Sequence, residues 1–143
     1  MTITKHQAQS AYNILKAATF KNAHNQYGAT KNVKKLKNIV IDIEDELYEI
    51  RLNNALLDAD KSPKRDERGN LKFTIAAELK AAKEVREYLK KEIEFEPYVF
   101  KANEEIKSVM NVLVNNDLEF LLDESLLIEE PASHTVILQA QGE

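Results

Sequence analysis

Histidines and closely spaced carboxylates are the residues best able to hold a metal or move a proton, and the chain has three histidines, His6, His24 and His134. They lie in separate segments, without the His-x-x-x-His or Glu-x-x-His spacing that places two ligands on one helix face, so each reads as a surface histidine. Asp58-x-Asp60-x-Ser62 begins like a calcium loop, but Pro63 stands where the sharp-turn glycine belongs and the twelfth position is not Glu. Glu78-Leu-Lys80 and Glu105-Ile-Lys107 offer the carboxylate and lysine of a nuclease, yet both fall in helical patterns with no β scaffold to converge them. The adjacent acids Asp123-Glu124 and Glu129-Glu130 splay around any helix and read as solvated surface.

Cysteine is absent, which removes disulfides, thiolate nucleophiles and Cys-ligated zinc and suits a reducing compartment. Three widely separated glycines cannot build a phosphate-cradling loop, so ATP and dinucleotide chemistry are not expected. The expectation is therefore no catalytic, cofactor-binding or metal residues and no enzyme. A small hydrolase or nuclease stays as a minor alternative, because a seryl or tyrosyl nucleophile is assembled in space and not in sequence.

The elements around these residues are mainly helical. Six glycines and prolines in 143 residues are about a third of the average share, which excludes turn-dense sandwiches and flexible linkers. At 43% hydrophobic and 31% charged, with 7% aromatics and no Trp, the chain can bury one core, mainly of Leu, Ile, Val and Ala. Thr4 is the expected N-cap of a first helix to about Phe20, with Ala8, Ala11, Ile14, Leu15 and Ala18 on one face. The polar run Lys21–Gly28 reads as a connection.

In the second helix Val33, Leu36, Val40, Ile43, Leu47, Ile50, Asn54 and Leu57 alternate spacings of three and four, as heptad a and d positions do. This stripe is the candidate interface. Two readings stay open: packing inside the chain's own bundle, or self-association in which Asn54 sets the register. Charge is segregated along the helix, with Lys31, Lys34, Lys35 and Lys37 ahead of Asp42, Glu44, Asp45, Glu46 and Glu49. An antiparallel pair of such helices would set Val33 against Ile50, Leu36 against Leu47 and Lys37 near Glu44; a randomly ordered solvated face is the bland alternative.

The segment Asp58–Lys72 is a charged loop between Pro63 and Gly69, where Gly69-Asn70 suits a type II′ hairpin turn with glycine first. Its basic residues Lys61, Lys64, Arg65 and Arg68 are interrupted by acids and lack interleaved aromatics, so a nucleic-acid partner is not expected. A third helix from about Thr74 to Glu92 carries Ile75, Leu79, Ala82, Val85, Leu89 and Ile93 on one face and should fold back antiparallel on the second. Ile93–Pro97 reads as a short extended segment and Ala102–Asn115 as a fourth helix. Leu118–Ile128 adds short helical turns up to Pro131, and Thr135–Leu138 is an edge strand or a mobile tail.

The fold class expected is thus mainly α: an antiparallel helical hairpin or bundle with a short β-hairpin or edge strands, residues 1–131 forming one domain and 132–143 a tail. The opening Met1–Ser10 lacks the apolar run of a signal peptide and no run is long enough to span a bilayer. No secretion and no membrane partner are expected.

Gln9…Tyr12-Asn-Ile-Leu15, then Lys34-Lys-Leu-Lys37…Ile43-Glu-Asp-Glu46, Asp66–Phe73 and Ile93-Glu-Phe95-Glu-Pro97 together make a pattern. In it the chain resembles the short, helical, uncharacterised proteins encoded by tailed phages and prophages, over roughly residues 5–97. The resemblance implies a viral origin, a non-enzymatic role and the host cytoplasm or a virion as the location. The expected function is protein–protein contact, as a virion structural or assembly accessory, with a protein partner that is the chain itself, a phage structural protein or a host protein. An inhibitor that binds a host enzyme or an antiviral defence complex is the alternative.

Overall fold

The computed structural model describes residues 1–127. Glu129-Glu130, Pro131, His134, the Thr135–Leu138 segment and the domain boundary expected at 131 lie outside the described residues. The described chain is mainly helical with one small antiparallel sheet.

A short strand β1 (Thr2–Thr4) runs directly into helix α1 (Lys5–Ala17). Thr4 closes a capping box: its Oγ1 accepts the Gln7 N–H at 3.0 Å, and Gln7 Oε1 accepts the Thr4 N–H at 2.8 Å. Ala8, Ala11 and Leu15 face the core as the spacing predicts.

Helix α2 (Ala23–Asn54) starts earlier than the sequence suggests, so Lys21–Gly28 is not a connection and only residues 18–22 link α1 to α2. Asn22 caps it by accepting the N–H groups of His24 and Asn25. Gly28 is buried inside α2 rather than marking a boundary. The first turns lack an apolar stripe because their inward face, Asn25, Gly28 and Asn32, meets a crossing backbone segment, where amides and a missing side chain fit better than Leu.

After α2 the chain makes a compact loop and returns as α3 (Ile75–Leu89), capped by Thr74. Contacts of Asn54 with Glu84 and of Glu46 with Tyr88 show that α3 runs antiparallel to α2. The loop is laced by backbone bonds: Leu56 donates to Lys72, Lys64 to Leu56, and Lys72 to Lys64. Its turn differs from the expected type II′. Gly69 donates to Asp66, Asp66 donates to Asn70, and Gly69 takes φ of +82°, so glycine follows the turn at the bulge position of a hairpin instead of opening it.

Strand β2 (Glu92–Glu94) then pairs antiparallel with β1, Ile3 opposite Ile93, and Phe95 N–H extends the ladder to the Met1 carbonyl. The strand around Ile93 was legible; β1 was not, since three residues are too few for alternation to register. Residues 95–103 form a strap across the start of α2 and lead into α4 (Glu104–Asn115), a 3-10 turn at Glu119–Leu121, and a helical stretch at 124–127. Backbone bonds from Phe100 N–H to Leu121 O and from Asp123 N–H to Phe100 O tie the strap to this last segment. The core cluster joins β1, α1, α2, the Tyr88 end of α3, the strap, α4 and the final turns; from 51 to 87 only Ala81 is fully buried, and it lies outside that cluster.

Candidate interaction surface

The α2 stripe turns inward along most of its length. Leu36, Val40 and Ile43 are fully buried in the chain's own core, and Val33, Leu47 and Ile50 are half-buried against it. Asn54 Nδ2 donates to the Ile50 carbonyl at 2.8 Å and to Glu84 Oε1 at 2.7 Å, so its amide is used between α2 and α3. Leu57 lies beyond the helix end and is exposed. An antiparallel pair of α2 helices would need Leu36, Val40 and Ile43, whose side chains this fold has already covered.

Helix α3 shows the opposite arrangement. The first half of the stripe expected to pack, Ile75, Leu79 and Ala82, faces outward, with Ile75 83% and Leu79 67% exposed, while Val85 is half-buried and Leu89 and Ile93 pack on the core. The inward residues are Ala81 and Tyr88, with Glu84 half-buried between them. Spacing by three and four admits both stripes; the choice was made by what α2 presents. Its C-terminal half offers Glu46 and Asn54, and these select Tyr88 and Glu84 as partners, while Ala81 lets the helices approach.

Tyr88 anchors this contact. Its hydroxyl donates to Glu46 Oε1 at 3.0 Å, Lys5 Nζ sits 4.1 Å from its ring centroid, and Lys5 also reaches Glu46 Oε1 at 3.9 Å. Burial, then the bond to Glu46, pushes the phenol up to about 12. One residue each from α1, α2 and α3 thereby fixes the root of α3, and Arg51 over the Phe73 ring at 4.8 Å holds its start.

The residues with chemical potential serve local structure. Asp60 accepts bonds from the Ser62 hydroxyl and N–H, which lower its pKa, in a tight turn of the loop. Glu105 is a clasp between helices: its carboxylate accepts from Asn25 Nδ2 at 2.8 Å and from the N–H groups of Lys21 and Asn22, and these bonds, that of Asn25 foremost, hold it below the usual carboxylate range. Arg65 donates to the Gly69 carbonyl and to the Tyr48 hydroxyl, which occupies the most structured cation of the basic loop. His6 and His24 are exposed, as are Glu78, Lys80 and Lys107. Among the described residues no group of three or more His, Cys, Asp or Glu could hold a metal ion, and no helix is long and apolar enough to cross a membrane.

Two concavities flank these elements. One, of about 510 Å³, is an open polar cleft between α2 and α3, lined by Glu46, Glu49, Asn53, Lys80, Glu87 and Lys91 among others. The other, of about 360 Å³, is an apolar groove between α1 and α4, with Ile14, Phe20, Val109 and Val112 on its walls. In the first, the Tyr88 hydroxyl meets the Glu46 carboxylate, the contact that joins α3 to α2. The strongest feature is the outward start of α3, Ile75, Leu79 and Ala82, the first half of a stripe whose last members, Leu89 and Ile93, do pack on the core. A clue was present in Ala77, Ala81, Glu84 and Tyr88, a second set at helical spacing on the same helix.

No protein-family model matches the chain, and no curated protein or solved structure is significantly similar to it.

Proposed function

We propose that this chain is a non-enzymatic protein–protein interaction protein whose contact surface is the outward face of α3. The carrying observation is the exposure of Ile75 and Leu79 at heptad spacing on a helix already anchored from its other side. Scattered apolar side chains on a surface need no explanation, but two large ones in register, flanked by charges, form the kind of face that helix-in-groove or helix-to-helix docking uses. The narrower role, a structural or assembly accessory of a phage particle, is supported by the sequence-pattern resemblance.

The alternative role, inhibition of a host enzyme or defence complex, draws on a different surface. Asp42, Glu44, Asp45, Glu46 and Glu49 are all exposed on one half of α2, which would suit a basic cleft on a target. Affinity capture with three baits separates the two: the wild-type chain, Leu79→Asp, and a variant with Asp42, Glu44 and Asp45 changed to Asn, Gln and Asn. Loss of the captured protein with Leu79→Asp alone supports the α3 surface. Loss with the neutralised α2 alone transfers the function to the acidic face, and binding that survives both changes overturns both readings.

A further inference from the structure

We infer that the outward face of α3 is covered by the same face of a second copy of this chain, the two helices lying side by side and parallel. The inference rests on the reading of this face as a contact surface and names its occupant. Ile75, Leu79 and Ala82 follow one another by four and three residues, as d, a and d positions of a heptad do. In that register Glu78 is the g position on one flank and Lys83 the e position on the other. Both are exposed, and among the described residues neither makes an ion pair.

The flanking charges choose the orientation. In a parallel pair, a g residue faces the e residue five positions on in the other helix. Glu78 therefore meets Lys83 of the second copy, and the two-fold axis repeats the contact. Turned antiparallel about Leu79, the same helices would bring Glu78 toward Glu78, a like-charge approach with no compensating pair. Ala76 and Ala82 are small enough to let the backbones come close. The stripe ends at Arg86 in the next a position, and Leu89 beyond it is turned to the core, so the contact is confined to the first turns of α3. That part of α3 lies in the stretch that contributes nothing to the core cluster, which leaves its outer face open to another chain.

Because the natural sequence has no cysteine, a single introduced one reports on proximity without interference. The expected results are a concentration-dependent dimer by sedimentation equilibrium, and disulfide-linked dimers from both Ile75→Cys and Ala82→Cys under mild oxidation. Glu78→Lys or Lys83→Glu alone should weaken the dimer about tenfold, and the two together should restore it. Circular dichroism of each variant verifies that the exposed positions leave folding intact. A chain that stays monomeric at hundreds of micromolar and does not cross-link overturns the inference. If that monomer still captures a partner that Leu79→Asp loses, the contact-surface reading stands without it. A dimer that links through Leu79→Cys but not through Ile75→Cys or Ala82→Cys overturns the parallel arrangement.

Discussion

Asn32 holds the backbone of Tyr98 in both directions: its Nδ2 donates to the Tyr98 carbonyl at 2.9 Å, and its Oδ1 accepts the Tyr98 N–H at 2.8 Å. A fully buried side-chain amide thus does for the strap what a neighbouring strand would do. Around it Lys35 donates to the Glu96 carbonyl, and Asn25 exchanges amide bonds with Asn103. The strap that joins β2 to α4 is fastened to one face of α2 at three residues, Asn25, Asn32 and Lys35, spread over about three turns.

Asn32→Leu keeps the branched outline and heavy-atom count of the side chain and removes both bonds, leaving the part-buried N–H and carbonyl of Tyr98 without their side-chain partner. The expected loss is about 3 kcal/mol, from roughly 1–3 for each orphaned group. Chemical denaturation checks it, and a loss under half a kcal/mol would show that water replaces the amide at no cost.

Gly28→Ala should destabilise the protein although alanine is the better helix former by about 1 kcal/mol. A Cβ at this position falls 2.7 Å from Cδ1 and Cε1 of Tyr98 and 3.0 Å from Cε1 of Phe100. Tyr98 cannot simply retreat, because Asn32 fixes its backbone. Overpacking of this kind costs about 1–3 kcal/mol, so a lower melting temperature is expected; a higher one would mean that the ring moves freely.

Leu36→Ala and Leu79→Ala delete the same atoms from two stripes with the same spacing. Leu36 is fully buried, so about 2–5 kcal/mol should be lost there. Leu79 is exposed, and its change should stay within about 0.5 kcal/mol in the monomer. Equal losses in dilute solution would place both stripes in the core.

The clasp at Glu105 predicts a specific acid sensitivity. Its folded pKa lies below the ordinary value of 4.5, so its contribution is complete above 4.5 and is lost as pH falls through the lower folded value. Glu105→Gln should be less stable than wild type at pH 7, and the gap should narrow on acidification toward pH 3. Melting curves across that range test it; a constant gap would show that the carboxylate charge has no part in joining α4 to α2.

Tyr88 should ionise near 12 instead of 10, visible as a late step in ultraviolet titration that Tyr88→Phe removes. A phenol whose folded pKa is raised gives stability that is complete below 10 and disappears as pH rises toward 12. Glu46→Gln, which takes away the accepting carboxylate charge, should move the step downward.

The sequence alone determined what depends on neighbours a few residues away. Thr4 predicts the cap of α1, the three- and four-residue spacings predict α1, α3, α4 and most of α2, and scarce glycine and proline predict a mainly helical chain. Tertiary structure decided what depends on residues far apart. Gly28 reads as a terminator until Tyr98 and Phe100 lie over it, and Thr2–Thr4 becomes a strand only because Glu92–Glu94 comes alongside. Glu105 looks like a surface acid until the start of α2 is brought to it. The same holds for the candidate surface. Periodicity shows that a helix has an apolar face, but only the surface it meets determines which face is covered: α2 turned Leu36, Val40 and Ile43 inward, while its polar end took Tyr88 and Glu84 from α3 and left Ile75 and Leu79 outside.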